Sequence, residues 1–234
     1  MEKSYTADWT LTNGKAVNIQ AYEILRVQII QGVLTPGTII SETEVSRNLQ
    51  ISRQPVREAF IKLHNEGLVE VRPQRGTLVT HISIEAVSDA RFIREAVEAD
   101  IVKLLVEKSN PEMIQTLRNL IRQQRKIEDD QLETFIILDD QFHRTLAILA
   151  DKRNTWKITA STKAHFDRVR YLSSIEKALQ PLVDQHEAVV NAIEQRDSAK
   201  AESAIRFHLR EVLRDLPVLV SQQPEIFTGD GERS

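Results

Sequence analysis

The sequence predicts a mostly α-helical chain: an N-terminal winged helix-turn-helix followed by an antiparallel all-α bundle of about six helices. Three observations predict it. A short capped helix is followed at once by a second one that carries arginines on its leading face. A Pro/Gly turn between two β-prone runs comes directly after. From Gly76 to Gly229 there is then no intervening glycine, in a stretch rich in Leu, Ile, Ala, Glu, Gln and Arg, a composition that favours helix throughout.

Residues 1–15 are expected to be flexible. Met1 to Asn13 is polar and lacks the apolar centre of a secretory signal. Ala16 to Gln31 reads as a first helix, with Val17, Ala21, Ile24, Leu25 and Ile29 near helical spacing and Gly32 ending it. Pro36-Gly37 is a turn. Ser41-Glu42-Thr43-Glu44 is a capping box, with the cap hydroxyl and a Glu three residues on. It opens a short helix to about Leu49 that presents Val45 and Leu49 on one face. Only Gln50 and Ile51 separate it from Ser52, an expected N-cap whose hydroxyl would accept from an orphan N–H.

The second helix begins Ser52-Arg53-Gln54-Pro55-Val56-Arg57. Pro55 is tolerated in a first turn, where its missing donor costs little. Arg53 and Arg57 are four apart and share a face, as reading a major groove requires. Val56, Phe60, Ile61 and Leu63 are expected to be buried, and Gly67 follows as the C′ glycine. Leu68 to Arg72 and Thr77 to Thr80 then flank Pro73-Gln74-Arg75-Gly76 as a hairpin. A hairpin in that position is a wing, with Arg75 at its tip.

The winged unit is expected over 16–81 and the helical domain over 82–221, with a flexible tail over 222–234. The bundle helices are expected from Ser83 to about Lys108, from Asn110-Pro111 to about Glu128, and from Leu132 to Ala150. Three more follow: Asn154 to about Leu172, Pro181 to Gln195, and one capped by Asp197 that reaches about Leu216. Short connections make neighbours antiparallel.

Hydrophobic content of 41% and charged content of 28% are those of a soluble globular protein. No apolar run is long enough to span a membrane. The chain has no cysteine, which excludes disulfides and Cys-based zinc sites and fits a reducing, cytoplasmic setting. Net charge is −3, so the whole chain does not advertise a nucleic-acid partner. Within 47–75, however, Arg47, Arg53, Arg57, Lys62, Arg72 and Arg75 outnumber Glu58, Glu66 and Glu70. A local basic patch on an acidic protein binds phosphates in a salt-sensitive way, and two such patches in a homodimer would act on one duplex.

The second part holds ligand-type residues. Asp139 and His143 are at i and i+4 on one helix and project from the same face. His186 and His208 lie on two later helices. One aspartate and three histidines from three helices suit a divalent metal, zinc foremost, with nickel, manganese or iron as alternatives. Apolar neighbours such as Phe142, Leu146, Val189, Val190 and Ile205 mean that polar side chains facing them need a partner. Taken singly, each of the four reads as an ordinary surface or hydrogen-bonded residue.

Together, these motifs resemble the GntR family of transcriptional regulators, in its FadR subgroup with a metal-binding FCD-type C-terminal domain. The similarity runs nearly end to end over Ser41 to Val79, SETEVSRNLQISRQPVREAFIKLHNEGLVEVRPQRGTLV, and more loosely over 83–216. There the markers are FIREAVE (Phe92 to Glu98), LDDQFHRTL (Leu138 to Leu146), DQHEAVVNAIEQRD (Asp184 to Asp197) and AIRFHL (Ala204 to Leu209). The resemblance implies that Asp139, His143, His186 and His208 match the metal ligands. It also implies that Ser52, Arg53, Gln54 and Arg57 match recognition-helix positions and that Arg75-Gly76 match the wing tip. Thr43 departs from relatives that place an arginine there, so their operator sequence does not transfer.

The function implied is a DNA-binding regulator, a repressor, acting as a homodimer on a palindromic operator. Its control would come from a small carboxylate effector, a sugar acid or other organic acid, held at the metal and clamped by Arg94, Arg168 or Arg170. Two rivals stand beside it. One is a metal-dependent helical enzyme, although His186-Glu187 lacks the second zincin histidine at Val190. Nor is there a Glu-x-x-His pair, since Asp140, Val183 and Ile205 precede the three histidines by three residues. The other rival is a metal that only locks the bundle.

Overall fold

The computed structural model describes residues 9–12, 14–175 and 177–228. They form two compact units: one runs to Ile84 and takes in the chain from Gln222, and the other is Glu85–Ser221. Expectations for 1–8, 13, 176 and 229–234 lie outside the described residues.

The first unit is built on α1 (Val17–Ile30), which packs on α3 (Arg53–Asn65). Between them lie β1 (Ile39–Ile40) and α2 (Glu42–Asn48). Ala21, Leu25 and Ile29 of α1 and Val56, Phe60 and Leu63 of α3 are buried side chains. On α3 the buried positions are Val56, Ala59, Phe60 and Leu63, the repeat that places one stripe inward. Ile61 falls outside that stripe and is 54% exposed, correcting its expected burial. Before α1, the Thr12 N–H donates to Gln20 Oε1 at 2.7 Å and Lys15 pairs with Glu23.

The two helix caps differ. The Ser41 hydroxyl accepts from the Glu44 N–H at 3.1 Å. Ser52 stands at the N-cap of α3 with extended backbone, but its hydroxyl makes no capping bond. With Arg53 as the first helical residue, Pro55 occupies the third position and removes one of the two N–H groups that a cap hydroxyl accepts from. The turn between α2 and α3 is closed by Gln50 at φ 55°.

Strands β2 (Val69–Arg72) and β3 (Gly76–Val79) form the hairpin, and β1 adds to β3 to give the order β1-β3-β2, antiparallel throughout. Sequence reading missed β1, which has two residues and carries no periodic signal. Gly76 sits at φ +93°, and a Cβ there would lie 2.8 Å from Ile39 Cγ2. Gly76→Ala is therefore expected to destabilise the winged unit by about 1–3 kcal/mol. Thermal melting checks this, with unchanged Tm as the contrary result.

The second unit is helical: α4 (Ile84–Lys108), α5 (Pro111–Gln124), α6 (Leu132–Leu149), α7 (Arg153–Thr162), α8 (Ala164–Ser174), α9 (Gln180–Glu194) and α10 (Ser198–Arg214). A short α11 (Leu216–Gln222) leads out of it. Asn110 caps α5 through the Met113 N–H and Asp197 caps α10 through the Lys200 N–H. The single helix expected over 154–172 is instead two, broken at Lys163. Hydroxyls cause part of this: Thr159, Ser161 and Thr162 bond carbonyls three or four residues back, which competes with the helical ladder. The break also buries Lys163, whose ammonium reaches Asp140 at 3.0 Å and Asp167 at 2.7 Å.

The tail expected to fray from Gln222 does not do so through 228. A 3-10 turn at Pro224–Ile226 brings Phe227 beside Ile82, with Ile82 N–H donating to Ile226 O at 2.9 Å and Thr228 N–H to Ile82 O at 3.0 Å. Phe227 is 5% exposed, and this apolar anchor is what holds the segment. Sequence reading passed over it because a lone aromatic near a chain end has no periodic partner.

Candidate metal centre and nucleic-acid interface

The leading end of α3 is open to solvent. Ser52, Arg53, Gln54 and Arg57 are all exposed, as is Arg75 at the wing tip beside half-buried Gly76. Gln74 at φ 63° turns the tip, and the Arg75 N–H donates to Arg72 O at 3.0 Å. The guanidiniums on this surface are therefore accessible to a duplex. Arg57 has a partner that the sequence did not signal: its Nε and Nη2 donate to Glu42 at 2.9 Å each. Gln54 donates to Glu58 at 3.2 Å. Both pairs orient their side chains.

Inside the second unit, α6 supplies Asp139 and His143, α9 supplies His186 and α10 supplies His208. One ligand atom from each of the four lies within 4.8 Å of all the others, and every one of these residues is buried. His208 Nε2 is 3.1 Å from both His143 Nε2 and His186 Nε2. Asp139 Oδ1 stands 3.3 Å from His186 Nε2 and 3.9 Å from His143 Nε2.

The outer ring nitrogens decide what this centre needs. His143 Nδ1 is 2.5 Å from Glu98 Oε2, His186 Nδ1 is 2.8 Å from Gln124 Oε1, and His208 Nδ1 is 2.9 Å from Gln185 Oε1. Gln124 Nε2 donates to Leu138 O at 3.1 Å, which fixes its oxygen as the acceptor toward His186. With each Nδ1–H donating outward, three Nε2 lone pairs face one another at the centre. Burial lowers the pKa of His186, and burial with His186 and His143 nearby lowers that of His208 well below the usual imidazole value. Inward lone pairs of this kind are compatible with a bound cation. Each outward bond also sets the ring's tautomer, as metal-ligating histidines require.

Asp139 is held as an anion. Burial would raise its pKa, but the Arg170 guanidinium beside it brings it well below the usual carboxylate range. Burial likewise opposes ionisation of Glu98, yet Arg94 and His143 hold it at about 2. Around the centre, Asp139, Asp140, Asp167 and Glu98 face Arg94, Lys163 and Arg170. One negative charge is left over. The donor set and its charge are thus compatible with a metal site.

The three arginines expected as effector clamps take different places. A cavity of about 460 Å³ opens beside the centre and is lined by Arg94, Asp139, Arg170, Gln185 and His208 among others. Arg94 lies over the Phe166 ring at 5.1 Å and donates from Nε to Glu98 at 2.7 Å. Its Nη2 is buried with no hydrogen-bond partner among the described residues. Arg170 is taken up by Asp139, Asp140 and Asp167, with only its buried Nε left without a hydrogen-bond partner among the described residues. Arg168 is buried, which pushes its pKa down to about 10, and it is not among the residues lining the cavity.

Glu98, Gln124 and Gln185 were missed by sequence reading. Glu98 follows Arg94 at i+4, the spacing of an ordinary exposed helix pair, and only burial separates the two cases. Glu98→Ala strands the buried Arg94 charge and is expected to cost about 3–5 kcal/mol of stability. Glu98→Gln keeps an acceptor for His143 and is expected to cost less in a denaturant melt while lowering metal affinity about 10- to 100-fold. Equal melts for the two variants would contradict this assignment.

An exposed arginine-bearing helix beside a wing, joined to a helical unit with an internal ligand cluster, defines a DNA-binding transcriptional regulator. Comparison with known proteins agrees. Residues 18–79 match the bacterial regulatory proteins of the gntR family and residues 89–211 match the FCD domain. The chain is 38% identical over 226 residues to the HTH-type transcriptional repressor RspR of Escherichia coli (strain K12), covering 95% of this chain and 99% of that one. It is 26% identical over 203 residues to the gluconate operon transcriptional repressor of Bacillus subtilis (strain 168), covering 83% and 82%. The solved structure of E. coli McbR/YncC shares the fold at TM-score 0.69 and 18% identity, covering 90% of this chain and all of that one. This chain belongs to the GntR family of bacterial transcriptional regulators, with an FCD domain as its second part. Such relatives are regulators and not enzymes. No helix among the described residues is long and apolar enough to cross a membrane.

Proposed function

We propose that this chain is a cytoplasmic, metal-containing repressor of the FadR subgroup that binds a palindromic operator as a homodimer and is released or retained by a small carboxylate. Arg53, Gln54 and Arg57 read the major groove, with Ser52 at the helix entrance contacting a phosphate. Arg75 enters the minor groove, and Gly76 permits that close approach. Asp139, His143, His186 and His208 hold the ion, zinc by donor chemistry, with nickel, manganese or iron as alternatives. When bound, the ion supplies a Lewis-acidic point for an effector carboxylate. Arg94 offers its unpartnered Nη2 to the same group, while Arg170 keeps Asp139 ionised and aimed.

The observation that carries this reading is the convergence of three buried Nε2 atoms and one carboxylate whose outer bonds leave only lone pairs inward. The names of the two repressors above support the direction of control. The route of coupling is short along the chain: α10 bears His208 and continues through α11 to the segment that pairs with Ile82, at the exit of the wing. Control requires unequal effector affinity for the two states of the dimer.

A structural ion is the second reading, favoured by the four protein ligands that already complete a tetrahedral zinc site. Chelation followed by melting and by binding to the promoter of the chain's own gene separates the two. On the effector reading, a carboxylate changes operator affinity of the metal-loaded protein about fivefold or more, and chelation abolishes that response. If chelation lowers Tm and operator affinity together and no carboxylate has an effect, the ion is structural.

A further inference from the structure

Resting on the reading of the cavity as an effector site, we infer that the effector is a carboxylate with an apolar body and not a polyhydroxylated sugar acid. The cavity has a buried polar end, where Asp139, Arg94, Arg170 and His208 stand. The rest of the lining is mixed but mainly apolar: Phe135, Ile136, Leu179, Pro181, Leu182 and Leu209 line it together with Ser173, Ser174 and the charged groups Lys177, Glu211, Arg214 and Asp215. Phe135, Leu179 and Leu209 are themselves buried. A ligand whose head reaches the metal ligands must lay its remaining atoms along these side chains.

A sugar acid carries a hydroxyl on every carbon of that remainder. Each would lose water and need a replacement partner, and an unpaired buried hydroxyl is costly. Several of the polar groups along the wall are already engaged, Glu211 with Arg214 among them. Ser173 Oγ donates to Arg170 O at 3.1 Å, and Gln185 Oε1 faces His208 Nδ1 at 2.9 Å. Lys177 and Asp215 pair with each other; Lys177 is exposed and Asp215 is half-buried, which places their pair toward the mouth. An alkyl or aromatic body needs no such partners and gains by leaving water. At about 460 Å³ the cavity has the size of a small-molecule site, larger than a bare short-chain acid fills.

Hexanoate and gluconate make the test, since they share a six-carbon chain and one carboxylate and differ in the hydroxyls. Calorimetry on the zinc-loaded full chain is expected to give hexanoate a Kd lower by about tenfold or more. Leu182→Gln, at a half-buried wall position, is expected to weaken hexanoate about fivefold or more while zinc content by elemental analysis stays unchanged. Gluconate binding as tightly as hexanoate, or an unaltered ratio in Leu182→Gln, overturns the inference and leaves a carboxylate effector standing. Failure of both acids to bind overturns the inference and the effector reading together.

Discussion

Arg53→Ala and Arg57→Ala are each expected to weaken operator binding about tenfold or more, and the double variant about a hundredfold, because each removes a guanidinium suited to a bidentate base contact. Both side chains are exposed on the first turns of α3, so neither substitution disturbs the core. The Glu42 pairing adds a sign that separates DNA contact from a merely structural role. Arg57 donates two bonds to Glu42. In Arg57→Ala that carboxylate is left beside the phosphates and repels them. In Glu42→Ala the arginine is released, and operator affinity is expected to rise. Gel shifts at fixed salt measure all four proteins. Unchanged affinity in both single arginine variants would remove α3 as the reading element.

His186→Ala is expected to lower zinc affinity more than 100-fold, beyond the 10- to 100-fold typical of an outer partner. His186 is fully buried, stacked on Phe142 at 4.3 Å and bonded through Nδ1 to Gln124. Loss of the ring removes one inward lone pair and leaves a hole against Phe142. In the parent chain, free zinc at a hundred times Kd is expected to stabilise the fold by about 2.7 kcal/mol. In His186→Ala the same zinc concentration is expected to add almost nothing. Melting with and without zinc gives both values, and equal zinc stabilisation in the two proteins would place the ion elsewhere.

The contrast between these sites shows what a sequence exposes. Ser41 and Glu44 announce α2 because a cap is local chemistry between residues three apart. Arg53 and Arg57 share a face by helical spacing alone. The same rule placed Asp139 beside His143, but nothing in spacing brings His186 and His208 to them. That convergence depends on how α6, α9 and α10 pack; ligand-type residues on three helices allowed it, and family resemblance singled out the four. Glu98 and Gln124 were invisible for the related reason that a carboxylate and an amide on helices read as surface until burial is known. Ser52 shows a local rule defeated by a local neighbour, since Pro55 withdraws a donor the cap would use. Lys163 and Phe227 are tertiary in origin. One is a buried cation held by two aspartates and the other an aromatic held by a strand pairing with Ile82. Arg168, expected among the effector clamps, lies outside the cavity lining although it is only two residues from Arg170, because helical positions two apart point about 200° from one another around the axis.

The central claim is that four side chains of the helical unit enclose one ion. Crystals of the purified protein measured on both sides of the zinc absorption edge test it most directly. The expected result is a single strong anomalous peak about 2.0–2.2 Å from the Nε2 atoms of His143, His186 and His208 and from an Asp139 oxygen. An electron-density map of zinc-supplied protein with no peak at that point, and with a proton-mediated hydrogen bond between two of the three rings, would contradict it.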